Sequence, residues 1–289
     1  MTSDQPVTYT AWKEVPETLK TKTQLGKMGL RLSKGQQVKA EFCSYIKGRS
    51  RPPNYYNLYD VGEAIEKKKA TPKQLEALAK GRLSARTCKQ CKAIAAHLSQ
   101  IKRGICEACK HLNFLQEERL EAVAWASAIL KTDFIILDTE TTALDGEPVE
   151  ISIINQAGEI LFNSHLKPVG EISEGAYNTH GLSKKDLATA PSFAAVYQEL
   201  KAILTGAKQV IIYNAGFDTR IINNACTAFN LPYIEFNTEC AMLWYSQYCG
   251  EWHHYYKNFT WQPLPRGEHT ALGDCLATLK VIKEMAKDK

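Results

Sequence analysis

The chain has 289 residues, 44% of them hydrophobic and 23% charged, and a formal net charge of +5. That composition excludes a disordered or fibrous protein, and the length exceeds one ordinary domain, so a main core with a smaller appended unit is expected. No apolar run reaches the roughly eighteen residues of a membrane-spanning helix, and the opening MTSDQPVTYTAWKEV lacks the marks of a leader peptide, which points to a soluble, cytosolic chain.

The net charge conceals a division. Residues 1–130 hold 23 Lys and Arg against 12 Asp and Glu, a balance of +11, whereas residues 131–289 hold 13 against 19, a balance of −6. A basic front half suits a polyanion, and acids gathered in the back half suit cations. Charge alone leaves solvated helix surface as an equal alternative for runs such as EKKK at residues 66–69.

In chain order, the first 86 residues alternate short apolar pieces with basic and turn-forming residues, as in LKTKTQLGKMGLRLSKGQ and KGRSRPPNYYNLYD. Lys47, Arg49 and Arg51 precede Pro52 and Pro53, and Tyr55, Tyr56 and Tyr59 follow. Such rings can stack on unpaired bases, but a segment this poor in apolar side chains is expected to use them as its core. After Thr71-Pro72, KQLEALAKGRLSA predicts a helix that begins at the proline and stops near Gly81.

Cys88-x2-Cys91 and Cys106-x2-Cys109, separated by 14 residues, have the shape of a four-thiolate zinc site. A redox pair is the rival; two CxxC units this close favour one structural Zn²⁺, since four thiolates leave no open position for water. Lys89, Lys92, Lys102, Arg103 and Lys110 make this module basic. Leu112, Leu115, Leu120, Val123 and Ala124 recur at helical spacing and predict a connecting helix over about 111–130. The other cysteines, Cys43, Cys226, Cys240, Cys249 and Cys275, are assigned no chemistry.

From Thr132 the pattern changes. FIILD is a continuous apolar run, PVEISIINQ alternates and ends at an Ala-Gly turn, and GEILFNSHLKP follows, which together predict a meander. PSFAAVYQELKAILTG predicts a helix capped by Ser192 and stopped at Gly206, QVIIYN a buried strand, and FDTRIINNACTAFN and TALGDCLATLKVIKEMAK two more helices. The expected organisation is a basic segment over 1–86, a four-cysteine zinc module with its connecting helix over 87–130, and an α/β layered domain over 131–289.

Acids interrupt this domain where apolar elements end. On a strand, Asp138 and Glu140 share one face and Thr139 takes the other. Two close carboxylates repel unless a cation joins them, though an acid pair at a strand end also suits the start of a solvated loop. Asp218, after QVIIYNAGF, taken alone reads as a helix cap rather than a ligand. Asp274 aligns with Thr278, Val281 and Met285 in a largely apolar arc of the last helix, and therefore needs a donor or a cation. His269, just before that helix, suits proton removal from water near neutral pH. Four carboxylates and a histidine would balance two divalent cations, and oxygen ligands favour Mg²⁺ or Mn²⁺.

DTET at 138–141, NAGFD ending at Asp218 and HTALGD at 269–274 resemble the three ordered motifs of the DEDDh 3′–5′ exonucleases, which include proofreading subunits and ribonuclease T-like enzymes. The likeness covers 132–285 and includes NTHGLSKKDLATAPSF between the first two motifs. It implies a ribonuclease H-like mixed sheet flanked by helices, here preceded by the basic segment and a zinc-ribbon-like module. It also implies Asp138, Glu140, Asp218 and Asp274 as ligands of two Mg²⁺ or Mn²⁺, His269 as general base, and Thr141 and Phe217 near the 3′-terminal nucleotide. His180 falls in the family's HG landmark and is read as structural, while His253 and His254 match no motif position and are assigned to packing.

The activity so implied is metal-dependent hydrolysis at the 3′ end of single-stranded or frayed DNA or RNA, releasing nucleoside monophosphates. The alternative is a non-catalytic nucleic-acid-binding protein that uses the basic segment and zinc module. Nucleic acid is the expected partner and a membrane is not; the oligomeric state is open, a homodimer included.

Overall fold

The computed structural model describes residues 6–44 and 52–288. The chain forms two compact units, divided between Arg86 and Thr87.

The first unit contains β1 (Val7–Tyr9), β2 (Leu19–Thr21), α1 (Lys22–Lys27), β3 (Leu30–Arg31), β4 (Ala40–Ser44), β5 (Asn54–Asp60), β6 (Ile65–Glu66) and α2 (Pro72–Arg86). Its main sheet has the order β1-β4-β5-β2, and β3 pairs with β6. Leu25, Ala40, Phe42 and Leu58 are buried, and the Trp12 ring stacks on Phe42 at 3.9 Å. The tyrosines are not this core. Tyr55 and Tyr56 are 59% and 45% exposed, because Leu58 takes the inward position of β5 opposite Ala40 and leaves Tyr56 at the margin of Phe42. Lys47, Arg49 and Arg51 lie outside the described residues. Helix α2 continues past Gly81 to Arg86, since strong helix formers such as Arg82, Leu83 and Ala85 follow the glycine and offset its cost.

The second unit begins with β7 (Ile101–Lys102) and β8 (Ile105–Cys106), a hairpin that leads into α3 (Glu107–Ile129). The helix starts inside the second cysteine pair rather than near His111, with Cys106 at its N-cap and Glu107 in its first turn, where a carboxylate complements the helix dipole. There follow β9 (Ile135–Thr141), β10 (Pro148–Asn155), β11 (Ile160–His165), α4 (Glu174–His180), α5 (Phe193–Gly206), β12 (Val210–Ile212), α6 (Ala215–Ala228), β13 (Thr238–Cys240), α7 (Ala241–Cys249), β14 (Trp252–His253), β15 (Asn258–Phe259) and α8 (Ala271–Met285).

The sheet order is β11-β10-β9-β12-β13, antiparallel through the meander and parallel from β9 onward. This is the ribonuclease H-like mixed sheet that the motifs imply. The β9–β10 turn depends on Gly146, where a Cβ would stand 2.1 Å from Thr142 Oγ1. Ser192 caps α5 by accepting the Ala195 N–H, as its sequence position predicts.

Strand β9 is central and covered on both faces. Ile135 and Leu137 belong to one apolar cluster with Phe193 and Leu200 of α5 and Ile222 of α6. Phe134 and Ile136 belong to the other, with Ala126 of α3, Met242 of α7 and Leu279 and Ile282 of α8. Alternation along the strand therefore sends odd-numbered residues toward α5 and α6 and even-numbered ones toward α8. Helix α3 is part of this second layer: Trp125 stacks on Trp244 at 5.2 Å and its indole N–H donates to Glu239.

A fragment of residues 131–289 would lack the cover that Trp125, Ala126 and Ile129 give to this layer. It is expected to unfold at a lower urea concentration than residues 87–289, by several kcal/mol at about 25 cal/mol per Å² of apolar surface; equal midpoints would show that α3 is dispensable to the core.

Candidate active site

The alternation of β9 decides how the acids meet. Asp138 and Glu140 continue the even-numbered face and approach Asp274 of α8, so that one carboxylate oxygen from each lies within 4.8 Å of the others. Thr139 points to the α6 side, where its hydroxyl donates to Asp218 Oδ1 at 2.8 Å. Asp218 is buried and does not cap α6: the helix begins at Ala215, which puts Asp218 in its first turn and aims it inward. Asp274 accepts the Glu268 N–H at 2.8 Å, while Thr270 caps α8 by accepting from Gly273. A Cβ at Gly273 would approach the Thr270 hydroxyl oxygen to 2.7 Å, so the cap requires glycine there.

His269 is exposed, and no hydrogen-bond or ion-pair partner for its ring occurs among the described residues. Its φ of 54° is left-handed, a strained conformation for a residue with a Cβ and one that concentrates at functional sites. His180 is occupied structurally. Its Nδ1 accepts the Leu182 N–H at 3.0 Å, leaving Nε2 protonated to donate to the Thr141 carbonyl at 3.1 Å. Burial holds this imidazole below its ordinary pKa.

Thr141 and Phe217 both line a cavity of about 550 Å³ that also includes Glu140, Leu144, Ala176 and His180. The acid cluster thus borders a pocket within the size range of small-ligand sites.

One site residue escapes motif reasoning. Glu150 of β10 stands opposite Glu140 across the strand pair and is buried. Its Oε2 accepts the Ala271 N–H at 2.9 Å, and Oε1 lies 3.5 Å from His165 Nε2. A buried acid thereby satisfies the first free N–H of α8, the helix that carries Asp274. Its signal is an acid between Val149 and Ile151 in an apolar strand, where acids are depleted.

Burial first, and then neighbouring carboxylates, push up the pKa values of Asp138, Glu140 and Asp218. Glu140 rises to about 8, by burial and by Asp274 and Glu150. Asp218 rises to about 7, chiefly by burial, although the Thr139 hydroxyl opposes the shift. Asp138 is raised well above the carboxylate range by burial and then by Asp218. Three half-buried or buried acids sharing one small volume fit a divalent cation, which removes the repulsion that raises these values.

The cysteines form a second cluster, with one Sγ from each of Cys88, Cys91, Cys106 and Cys109 within 4.8 Å of the others. The first pair sits on a turn in which Lys92 has a φ of 63°; the second straddles the end of β8 and the first turn of α3. N–H groups of Cys106 and Cys91 aimed at the Cys88 sulfur lower its pKa to about 6, whereas burial pushes Cys109 up to about 12. Thiolates at about 2.3 Å from a tetrahedral zinc lie about 3.8 Å apart, and Cys91 and Cys106 are separated by 3.7 Å. The donor set fits zinc.

The family model for exonucleases of the RNase T type matches residues 135–282, just over half of the chain. A protein of Escherichia phage 186 named uncharacterized exonuclease CP81 is 33% identical over an alignment 177 residues long that covers 55% of this chain and 90% of that protein. This chain belongs to the exonuclease family.

The matched region carries all three acidic motifs, so the exonuclease is of the DEDDh kind. DNA polymerase III subunit epsilon of Rickettsia felis is 34% identical over 98 residues, 31% of this chain and 42% of that protein, so the exonuclease spans less than half of this relative. Among solved structures, Exonuclease X in complex with 5′ overhanging duplex DNA is 24% identical with a TM-score of 0.38, over 54% of this chain and 94% of that one. The nuclease domain of 3′hExo bound to rAMP is 16% identical with a TM-score of 0.38, over 54% and 92%. No helix among the described residues of the exonuclease is long and apolar enough to cross a membrane.

The raised pKa values carry a sign. Glu140 and Asp218 bind protons more tightly in the folded exonuclease than in the unfolded chain, so without a cation stability falls as pH rises from about 4 toward about 8. The thermal midpoint without Mg²⁺ or Mn²⁺ is expected to drop across that window, and Mg²⁺ to raise it by an amount that grows with pH. Scanning fluorimetry of chelator-free protein without and with added Mg²⁺ checks this, and a cation effect independent of pH contradicts it.

Proposed function

We propose that this exonuclease removes nucleotides from the 3′ end of single-stranded or frayed nucleic acid and releases nucleoside monophosphates. The observation that carries the reading is the meeting of Asp138, Glu140 and Asp274 beside a pocket lined by Thr141 and Phe217. A cavity of about 550 Å³ suits one terminal nucleotide better than a base-paired segment, which favours action at an end freed from its complement. The DEDDh motifs favour the 3′ end.

Asp138, Glu140, Asp218 and Asp274 would hold two Mg²⁺ or Mn²⁺. When bound, such ions supply positive charge to the reacting phosphate and its leaving oxygen. His269, exposed and without a competing partner among the described residues, takes a proton from the attacking water. Thr139 orients Asp218, and the Glu268 N–H orients Asp274. Leu144 and Phe217 offer apolar walls for the terminal base and sugar, with Glu140 at the reacting side.

Cys88, Cys91, Cys106 and Cys109 would hold one structural Zn²⁺ at the start of α3. The positive balance of residues 1–130 favours residence on the polymer and an affinity that falls with salt.

Asp138→Asn is expected to abolish Mg²⁺-dependent shortening of a 5′-labelled oligonucleotide, and His269→Ala to slow it by about 10²- to 10⁴-fold, with both variants folded. Electrophoresis on DNA and RNA with free or blocked 3′ ends measures rate and polarity, and unchanged cleavage by either variant rejects the assignment.

Cys91→Ser is expected to remove about one zinc per chain and to lower the thermal midpoint. Elemental analysis of protein purified without chelator reads the metal directly; a wild-type chain free of zinc would refute the structural site.

A further inference from the structure

Between α7 and the segment that carries His269 and Asp274, the chain forms the β14–β15 hairpin, in which Trp252 pairs with Phe259 and His253 with Asn258. Its two faces differ. On the inner face, Trp252 and Phe259 meet edge to face at 5.1 Å and pack on Phe114 of α3 at 5.1 and 6.1 Å. His111, two residues after Cys109, extends this contact to Trp252 and to His254 at 6.2 and 5.4 Å.

On the outer face the rings pair, among the described residues, only with one another. His253 lies 4.6 Å from Tyr256, and Tyr255 stands at 86° to Tyr256 with centroids 5.0 Å apart. Tyr255 is 83% exposed and Tyr256 68%. Lys257 follows with a left-handed φ of 53°, and its N–H donates to the His253 carbonyl at 2.9 Å. A tyrosine ring carries a large apolar area, so two adjacent ones held in water on a braced turn call for an occupant.

We propose that this outer face is a stacking platform for unpaired bases of the strand whose 3′ end is being hydrolysed. The proposal rests on the nuclease reading for the identity of that strand. Three features select nucleic acid as the occupant. The face offers rings, imidazole and an ammonium group but no aliphatic side chain, and no carboxylate occurs from Trp252 to Pro265. Stacking uses the π-face that every base presents, and it tolerates any sequence.

Charge supplies the second feature. The hairpin rests on α3 just beyond the cysteine module, where Lys89, Lys92, Lys102, Arg103 and Lys110 are exposed against the single acid Glu107. Only Lys102 of these five is ion-paired among the described residues, to Glu107 at 3.4 Å. Lys92 donates to the Lys89 carbonyl at 2.6 Å, and Lys89, Arg103 and Lys110 are available to phosphates while the rings take the bases.

The third feature is continuity with the active site. Beyond the hairpin, the carbonyls of Gln262 and Pro263 accept from the Tyr213 hydroxyl at 2.9 and 3.0 Å, which ties this stretch to the end of β12. The chain then reaches Gly267, where a Cβ would stand 3.2 Å from Asp274 Oδ1, and His269. The hairpin is thus braced by α3, and the stretch that follows it is tied down at Tyr213, just after β12. A strand stacked on it is held by the same segment that presents the catalytic histidine.

The test uses the full chain with both tyrosines replaced, as Tyr255→Ser/Tyr256→Ser and as Tyr255→Phe/Tyr256→Phe. Fluorescence anisotropy of labelled oligothymidylate in buffer without Mg²⁺ or Mn²⁺ and without a chelator that would strip zinc is expected to show affinity weakened roughly 10- to 100-fold by the serine pair. The phenylalanine pair is expected to bind as wild type, and the salt dependence to keep its slope, because no charge changes. In Mg²⁺, kcat/KM of the serine pair is expected to fall on strands of about 20 nucleotides and to hold on dinucleotides. Equal affinity of the serine pair and wild type without Mg²⁺ or Mn²⁺ overturns the proposal, as does a serine-pair defect confined to self-association in sedimentation. A wild type that binds strands without divalent cation but cleaves nothing in Mg²⁺ would reject the nuclease reading and leave the platform standing.

Discussion

Carboxylates confined at the end of β9 repel one another, and the layout of the second unit follows from how that repulsion is contained. Asp138 and Glu140 share a volume with Asp274, Asp218 lies behind Thr139, and Glu150 faces Glu140 across the sheet. Three of these acids have a donor of their own: the Thr139 hydroxyl for Asp218, the Ala271 N–H for Glu150, the Glu268 N–H for Asp274. Hydrogen bonds of this kind orient carboxylates without neutralising them. The residual negative charge is what makes the cluster a receptor for hard cations, and with burial it accounts for the raised pKa values of Asp138, Glu140 and Asp218.

Holding like charges together demands a rigid frame. Strand β9 is covered on both faces, paired with β12 at Ile135 and Ile136 and paired with β10 through to Thr141, which restrains its last residues from splaying. Helix α8 is fixed at its start by Thr270, by Glu150 and by the close approach that Gly273 permits. Helix α3 closes the far layer through Trp125 and Ala126, and it begins at the cysteine cluster. The cysteine module and the catalytic sheet are therefore joined by one continuous helix within a single unit. The hairpin that rests on that helix extends the same rigid support beyond the acid cluster.

The three acidic motifs were legible because each combines a strand or helix end with an acid that ordinary packing does not explain, and because their order along the chain is distinctive. The meander, the cap at Ser192 and the CxxC pairs were legible for the same local reasons. Less legible were features whose cause lies across the fold. The tyrosines after Pro53 read as core, yet Leu58 and Phe42 fill the small interior and leave Tyr55 and Tyr56 exposed. The start of α3 at Glu107 depends on the cysteine turn that precedes it, and no periodicity within the helix marks it. Glu150 has no motif of its own, because its role arises from a strand register and from the end of a helix more than a hundred residues away.

By itself the sequence determined the alternation of β9, the chemistry of its acids and the four-thiolate pattern, since these depend on residue type and on the two-residue period of a strand. Tertiary structure alone decided which partner each acid meets: Asp274 for the even-numbered face, Asp218 for Thr139, Ala271 for Glu150. It also decided that the rings of 252–259 divide into a packed face and an open one, because only the docking of the hairpin on Phe114 distinguishes Trp252 and Phe259 from Tyr255 and Tyr256. Local pattern sets where a side chain points along its own element, whereas the element it meets is chosen by the packing of the whole chain.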